Sequence, residues 1–307
     1  MQVHSTGRTV RITSISYNYD YRSLEEISEI VDKEGGKGVD LIILPEACAG
    51  LDMEPETLDG ITISTMARLA KKHNTYIVCP IYRKDANIKR INSAVLLDRQ
   101  GETVFIYDKV YPYWGELELV PPTEIGLEAP VYDADFGCIG MATCFDANFP
   151  EVWKRLADQG AEIVVWPSAY SAGTTLQAHA INNNFYIVTS TLWSDCTVFD
   201  VNGKEILYEK SEGINISHIT LDLDRGIYHE NFNMEKRDKL LKDYAGSIEQ
   251  ELHMEREQWF ILKSTRDGVK TRELAKSYGM EELRDYKNRS RLEIDRMRGW
   301  KFAKKTM

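Results

Sequence analysis

The sequence predicts a layered α/β fold, because short apolar runs of strand length alternate with amphipathic helical stretches through its first two-thirds. Residues 9–16 alternate apolar and polar side chains like a half-buried strand, whereas residues 23–33 place Leu24, Ile27, Ile30 and Val31 on one helical side. Residues 39–44 then form an apolar run ending at Pro45, which reads as a buried strand. Two sheets packed together with helices outside both satisfy this pattern, since every sheet face is then covered. A doubly wound single sheet satisfies it as well.

The other elements follow in order. Residues 63–73 repeat the helical spacing and 76–80 give the next strand. Residues 93–98 and 103–109 flank Arg99-Gln100-Gly101-Glu102, a hairpin turn. Residues 130–132 and 138–143 are short extended pieces, 150–159 are helical, 162–166 are strand and 176–184 are helical. Strands at 185–190, 197–199 and 217–223 follow, with Val201-Asn202-Gly203-Lys204 as a turn. From His229 the chain becomes charged, and 234–259, 271–278 and 280–294 read as helices. The opening MQVHSTG reads as a loose leader and the stretch from Lys301 to Lys305 as a frayed end.

With 307 residues, 43% of them hydrophobic, the chain can build one large core, or one core and an accessory segment. No run approaches the ~18 apolar residues of a membrane span, and the opening lacks the apolar centre of a secretion signal. Charge is uneven. Residues 1–231 hold 19 Lys/Arg against 34 Asp/Glu, a net of −15, while residues 232–307 hold 19 against 14, a net of +5. The predicted division is an acidic body at 1–231 and a basic helical extension at 232–307, which assembles an oligomer or covers an active site. Cys48, Cys79, Cys138, Cys144 and Cys196 are odd in number and match no disulfide framework or zinc spacing, which suits a reducing cytosol. Residues 271–283 resemble half of a helix-turn-helix, yet Glu281, Glu282, Asp285, Glu293 and Asp295 in the second half would repel phosphates, so no nucleic-acid partner is expected.

Three reactive side chains each follow an apolar strand. Glu46 follows Leu41-Ile42-Ile43-Leu44-Pro45, Lys109 follows Val104-Phe105-Ile106-Tyr107-Asp108, and Cys144 follows Ile139-Gly140-Met141-Ala142-Thr143. A strand that stops at a tight turn holds the next side chain more firmly than a loop does. A thiol is a weak nucleophile until it loses its proton, and a nearby cation favours its thiolate. Glu46 can take that proton and return it to a leaving amine. Lys109 and the Phe145 backbone N–H can stabilise a developing oxyanion. Taken singly, each of the three also reads as a structural thiol, a surface residue or half of a salt bridge. Together they amount to a reaction.

These segments resemble the carbon–nitrogen hydrolase family, or nitrilase superfamily, from about Thr9 to Asp224. Leu44-Pro45-Glu46 matches the segment of the general base, and Ile106-Tyr107-Asp108-Lys109-Val110 resembles the lysine segment. Thr143-Cys144-Phe145-Asp146-Ala147-Asn148-Phe149-Pro150-Glu151 resembles the cysteine segment of amidase-type members. Tyr76 to Ile81 and Asn92 to Leu97 resemble two of the family's core strands. The resemblance implies a four-layer α-β-β-α sandwich, a Glu–Lys–Cys catalytic set and homodimers or larger assemblies. It also implies a second glutamate soon after the lysine, for which Glu116 is preferred and Glu118 stays open. Asn182 stands where relatives carry an acidic residue.

The implied reaction is hydrolysis of a small amide through a thioester, without metal or organic cofactor. A nitrile or N-carbamoyl substrate is the alternative, and an inactive interaction scaffold a further one. Tyr113, Trp114, Glu118, Phe145, Asn148, Trp166, Tyr170 and Trp193 are candidates to contact substrate, with Tyr111 and Pro167 nearby. Trp166 also reads as ordinary core and Asn148 as a helix cap. Residues 141–151 carry no Lys or Arg to read a substrate carboxylate, which favours an uncharged amide.

Overall fold

The computed structural model describes residues 6–18, 22–84 and 89–299; the first five residues of the expected leader and the expected frayed end at Lys301 to Lys305 lie outside them. The chain divides into two compact units. One runs from Val10 to Leu221, and the other joins Asp222 onward to the residues before Val10.

The larger unit is built on two six-stranded sheets. The first contains β1 (Thr9–Tyr17), β2 (Leu41–Ile43), β3 (Tyr76–Lys84), β4 (Arg90–Leu97), β5 (Thr103–Asp108) and β12 (Ile214–Asp222), ordered β12-β1-β2-β3-β4-β5. The second contains β6 (Val131–Ala134), β7 (Gly137–Met141), β8 (Ile163–Ser168), β9 (Tyr186–Thr191), β10 (Asp195–Phe199) and β11 (Glu205–Lys210), ordered β11-β10-β9-β8-β7-β6. Each sheet has a parallel centre, β1-β2-β3 and β7-β8-β9, with antiparallel strands added beside it. The expected strands are present. The unexpected β11 is an exposed edge strand, whose charged sequence EILYEK carries little apolar signal.

Helices α1 (Leu24–Gly35) and α2 (Ile61–His73) cover the first sheet. A capping box fixes the start of α1: the Ser23 side chain accepts from Glu26 N–H, and the Glu26 carboxylate accepts from Ser23 N–H. Ile27 and Val31 of α1 pack with Ile63, Met66 and Leu69 of α2 over Ile42 and Ile77. Helices α4 (Pro150–Asp158) and α5 (Thr174–Asn183) belong to the second sheet and meet where Trp153 stacks on His179 at 4.5 Å. Gly140 in β7 permits close packing here, since a Cβ would lie 3.0 Å from Leu156 of α4. The result is the four-layer α-β-β-α sandwich.

The seam between the sheets is polar. Ser14 Oγ donates to Thr189 O at 2.7 Å and Ser190 Oγ to Ile15 O at 2.7 Å, while Thr191 N–H donates to Ser16 Oγ at 2.9 Å. All three serines are fully buried, so β1 and β9 are fixed in register by bonds that no water replaces.

The C-terminal unit departs from the helical extension expected at 232–307. Its helix α6 (Met234–Asp243) stops early, and β13 (Gly226–His229) and β14 (Ile248–Met254) each pair antiparallel with the central β15 (Trp259–Ser264), in the order β13-β15-β14. Gly246, at φ 75°, breaks the helical run, and the short apolar stretch of Trp259–Ser264 is buried strand. Helices α7 (Thr271–Ser277) and α8 (Leu283–Met297) complete the unit around Tyr228, Leu240, Phe260, Leu262 and Ala275. Its boundary falls at residue 222 rather than 232, because β13 is bound to β15. No helix among the described residues is long and apolar enough to cross a membrane.

Replacing Ser16 with Ala leaves the buried Thr191 N–H without its acceptor. The expected loss is about 1–3 kcal/mol, read as a lower urea midpoint at unchanged slope. An unchanged midpoint would mean that the seam hydrogen bond contributes nothing.

Candidate active site

Parallel strands deliver reactive residues from their C-terminal ends, where the next backbone groups are free to bond side chains. Glu46 follows β2, Cys144 follows β7 and Ala169 follows β8, while Lys109 directly follows the antiparallel β5. Lys109 is 1% exposed and Glu46 2%. Lys109 Nζ donates to Glu46 Oε1 at 2.9 Å and to Glu116 Oε2 at 2.6 Å. Glu46 Oε2 accepts from Ala169 N–H at 2.7 Å, and the Cys144 thiol lies close enough to this carboxylate for each to shift the other's ionisation. The four residues expected to act together are in one buried cluster.

Glu116 is the carboxyl group that joins Lys109. It sits on the short helix α3 (Trp114–Leu117), where it also accepts from Tyr113 N–H at 3.0 Å. Glu118 is exposed at the C-terminal end of that helix. Behind α3 the chain returns to the strand end: Thr123 N–H donates to Glu116 O, and Gly126 N–H donates to Lys109 O at 2.8 Å. A Cβ on Gly126 would lie 2.0 Å from Asp108 O, so this approach requires glycine.

Cys144 opens a 3₁₀ turn (Cys144–Asn148) with φ 50°, a left-handed conformation costly for a residue with a side chain. Its carbonyl accepts from Trp166 Nε1 at 3.1 Å and from Tyr170 OH at 3.4 Å. Asp146 fixes the turn from the other side. Its carboxyl accepts from Thr143 N–H at 2.9 Å, Tyr107 OH at 2.8 Å and Tyr111 N–H at 2.8 Å. Tyr107 and Tyr111 lie two residues on either side of Lys109, so one buried carboxyl ties the cysteine turn to the lysine segment.

The electrostatics depart from the thiolate expected from sequence. Burial and the adjacent Glu46 carboxylate push the Cys144 thiol well above its ordinary range, and Lys109 only partly offsets them. Burial opposes ionisation of Glu46, yet the charge of Lys109 and the hydrogen bonds from Lys109, Cys144 and Asn92 outweigh it and hold this carboxyl below its usual range. Burial likewise opposes the Lys109 charge, and the surrounding acidic groups overcome it, keeping the ammonium protonated. The resting pair is therefore a neutral thiol beside an ionised base. Sequence proximity to a lysine could not reveal that the lysine's charge is drawn to two carboxyl groups.

Two contributors lay inside the recognised segments without an assigned part. Asn92, 1% exposed in β4, donates from Nδ2 to both Glu46 Oε1 and Glu116 Oε1, each at 2.8 Å. Asp146 is fully buried. The only signals were a polar residue opening an apolar strand and an acid two residues after the cysteine.

Of the residues expected to contact substrate, Trp166 is fully buried behind Cys144, because β8 runs in the centre of its sheet. Tyr170 supports the same carbonyl. Tyr113 is half-exposed, with Lys109 Nζ 6.0 Å from its ring centre. Phe145 meets Phe149 edge-on at 5.5 Å, and Tyr111 stacks on Phe149 at 3.7 Å. Asn148 is exposed and closes the 3₁₀ turn through Phe145 O rather than capping α4. Trp114 is 71% exposed, and Trp193, half-exposed, lies under Lys210 Nζ.

The sequence profile of the family described as Carbon-nitrogen hydrolase matches residues 13–226, and the chain belongs to that family, within the nitrilase superfamily. It is similar to deaminated glutathione amidase of Synechocystis sp., 29% identical over 193 residues that span 54% of this chain and 70% of the relative. It is also similar to formamidase of Pseudomonas syringae pv. tomato, 27% identical over 190 residues, 58% of this chain and 55% of the relative. Among solved structures it shares the fold of Nit3 of Saccharomyces cerevisiae, at TM-score 0.63 and 17% identity over 72% of this chain and 92% of that one. It shares the fold, too, of a mutant amidase from Nesterenkonia sp. carrying the acetamide moiety of fluoroacetamide on its active-site cysteine, at TM-score 0.60 and 18% identity over 72% and 93%.

Burial raises Asp146 to about 6 although three donors oppose the rise. A folded-state value above the unfolded one means that Asp146 favours folding below the ordinary carboxylate range and loses that contribution as pH rises through about 6. Between about pH 4 and 6 the wild type should therefore lose about 2 kcal/mol of stability relative to Asp146→Asn. Parallel pH–stability curves from urea unfolding would refute it.

Proposed function

We propose that the protein hydrolyses a small uncharged amide, with Cys144 as nucleophile, Glu46 as general acid and base, Lys109 as oxyanion partner and Glu116 as support for the lysine. The observation that carries this reading is the buried Lys109 shared between Glu46 and Glu116, with the Cys144 thiol close enough to Glu46 that each shifts the other's ionisation. Amidases and a formamidase among the similar proteins support the same class, as does the acetamide adduct on the Nesterenkonia cysteine.

In this reading Glu46 takes the thiol proton as sulfur bonds to the amide carbon. Proton transfer thus accompanies attack, and no free thiolate waits in the buried site. The carbonyl oxygen gains negative charge near Lys109 Nζ and the Phe145 N–H. Glu46 then passes its proton to the amide nitrogen, the carbon–nitrogen bond breaks and ammonia or an amine leaves a thioester. Water, losing a proton to Glu46, attacks the thioester; sulfur departs, regains the proton and the acid is released. A nitrile would give a thioimidate at the first step, and a carbamoyl substrate a thiocarbamate.

Charge favours a neutral substrate. Lys109 is already shared between two carboxyl groups, so its charge is not spare for a substrate carboxylate. Assembly as a homodimer or larger homo-oligomer, and a cytosolic location, belong to this proposal.

Incubation with a panel of small amides, nitriles and carbamoyl compounds should release ammonia fastest from the amides. Cys144→Ala should abolish turnover and with it a trappable acyl-enzyme mass; full activity in that variant would remove the nucleophile. Lys109→Met should lower kcat by at least about 100-fold, the scale of losing one oxyanion donor. Asn92→Leu should lower kcat about tenfold or more with the fold retained, since both carboxyl groups lose a donor. Because the folded-state value of Glu46 is depressed, the base stays ionised as pH falls, and the acid limb of kcat/KM should lie below the ordinary glutamate value. A limb centred near neutrality would contradict Glu46 as the base.

A further inference from the structure

Two other thiols sit close to the site. Cys48 and Cys79 are both buried, with their Sγ atoms 3.7 Å apart. Cys48 lies on the loop leaving β2, two residues beyond Glu46, and its N–H donates to Pro80 O, next to Cys79 in β3. Ala47, between Glu46 and Cys48, adopts φ 46°. One thiol therefore rides on the segment of the proposed base. The other is anchored inside a sheet, paired with Val95 of β4.

Cys48 also lines a small cavity with Tyr17, Asn18, Arg22, Ala47 and Leu51. Its volume of about 20 Å³ suits one water-sized molecule and excludes a bulky disulfide reagent. The buried Nε of Arg22, in the same wall, has no hydrogen-bond partner among the described residues. Arg22 and Cys48 thus both line the cavity that a small polar guest would enter.

We propose that Cys48 and Cys79 are an oxidisable dithiol, converted by a small peroxide to a disulfide that draws Glu46 out of its place beside Lys109. Cys48 sulfur, losing its proton, attacks one peroxide oxygen; the O–O bond breaks and the leaving oxygen takes up the proton as water or alcohol. Cys79 sulfur then attacks the resulting sulfenic sulfur; the S–O bond breaks and its oxygen leaves as water with the Cys79 proton. The two thiols lose two electrons and the peroxide gains them. Bond formation shortens the separation from 3.7 Å to about 2.05 Å. The sheet-bound Cys79 resists movement, so the Cys48 loop supplies most of it. A displacement near 1 Å at Glu46 is on the scale that lowers turnover about 100-fold. Contact with Cys48 and burial keep Cys79 protonated, so the conversion is slow.

The chemical test uses Cys144→Ser protein, which removes the competing nucleophile. Hydrogen peroxide should lower its mass by two hydrogens and yield a Cys48–Cys79 cross-linked peptide that dithiothreitol reverses, whereas oxidised glutathione at equal exposure should not. Stepwise oxygen addition at Cys48 with Cys79 free, or no change in mass, overturns the dithiol. The link to Glu46 rests on the amidase reading and is tested separately. Wild type should retain about tenfold less of its untreated activity after peroxide than Cys79→Ala retains of its own, because oxidation of Cys144 is common to both. Equal fractions overturn the coupling, and the cross-link result stands whether or not the protein is an amidase.

Discussion

Lys109 is a buried cation held between two carboxyl groups, Glu46 at 2.9 Å and Glu116 at 2.6 Å. Removing charges from water costs several kcal/mol each, and only close geometry with further hydrogen bonds recovers it. Asn92 and the Ala169 and Tyr113 N–H groups supply those bonds. Stability alone does not explain such a cluster, since an apolar core of equal volume would fold at least as well. Its consequence is electrostatic. The ammonium keeps Glu46 ionised inside the protein, and the ionised Glu46 in turn keeps the neighbouring thiol neutral.

Holding this arrangement requires rigidity from both sheets. Glu46 and Lys109 come from the first sheet, and Cys144 and Ala169 from the second. Any slip between β1 and β9 would pull these groups apart. The buried serine bonds across the seam oppose that slip with directional contacts, which apolar packing alone does not provide. Asp146 gives a second tie close to the chemistry, joining the turn of Cys144 to Tyr107 and Tyr111 around Lys109. The left-handed backbone at Cys144 is sustained by these contacts and by Trp166 and Tyr170.

Aromatic residues near the site therefore divide by task. Trp166 and Tyr170 brace the Cys144 carbonyl, and Tyr111 stacks on Phe149, whereas Tyr113 faces the lysine with half its surface open. The Phe145 ring is held edge-on by Phe149. Of these rings, Tyr113 combines an open surface with a position beside Lys109.

The sequence by itself determined the alternation of strands and helices up to residue 223 except for the edge strand β11, the strand-end positions of Glu46, Lys109 and Cys144, and the family. Periodicity and ordered short motifs are local properties of a chain. Tertiary structure alone decided that Glu116 rather than Glu118 meets Lys109, that Asn92 bridges two acids, and that Trp166 lies behind the thiol. It also decided that residues 248–254, within the stretch 234–259 that reads as helix, form a strand paired with Trp259–Ser264 around Phe260 and Leu262. Those outcomes depend on which distant groups share a buried space, and the energy of a buried charge or an edge hydrogen bond is set by partners far away in sequence. The protonation state of Cys144 belongs with them, because it follows from the sum of burial and two charged neighbours, Glu46 and Lys109, rather than from the residue beside it.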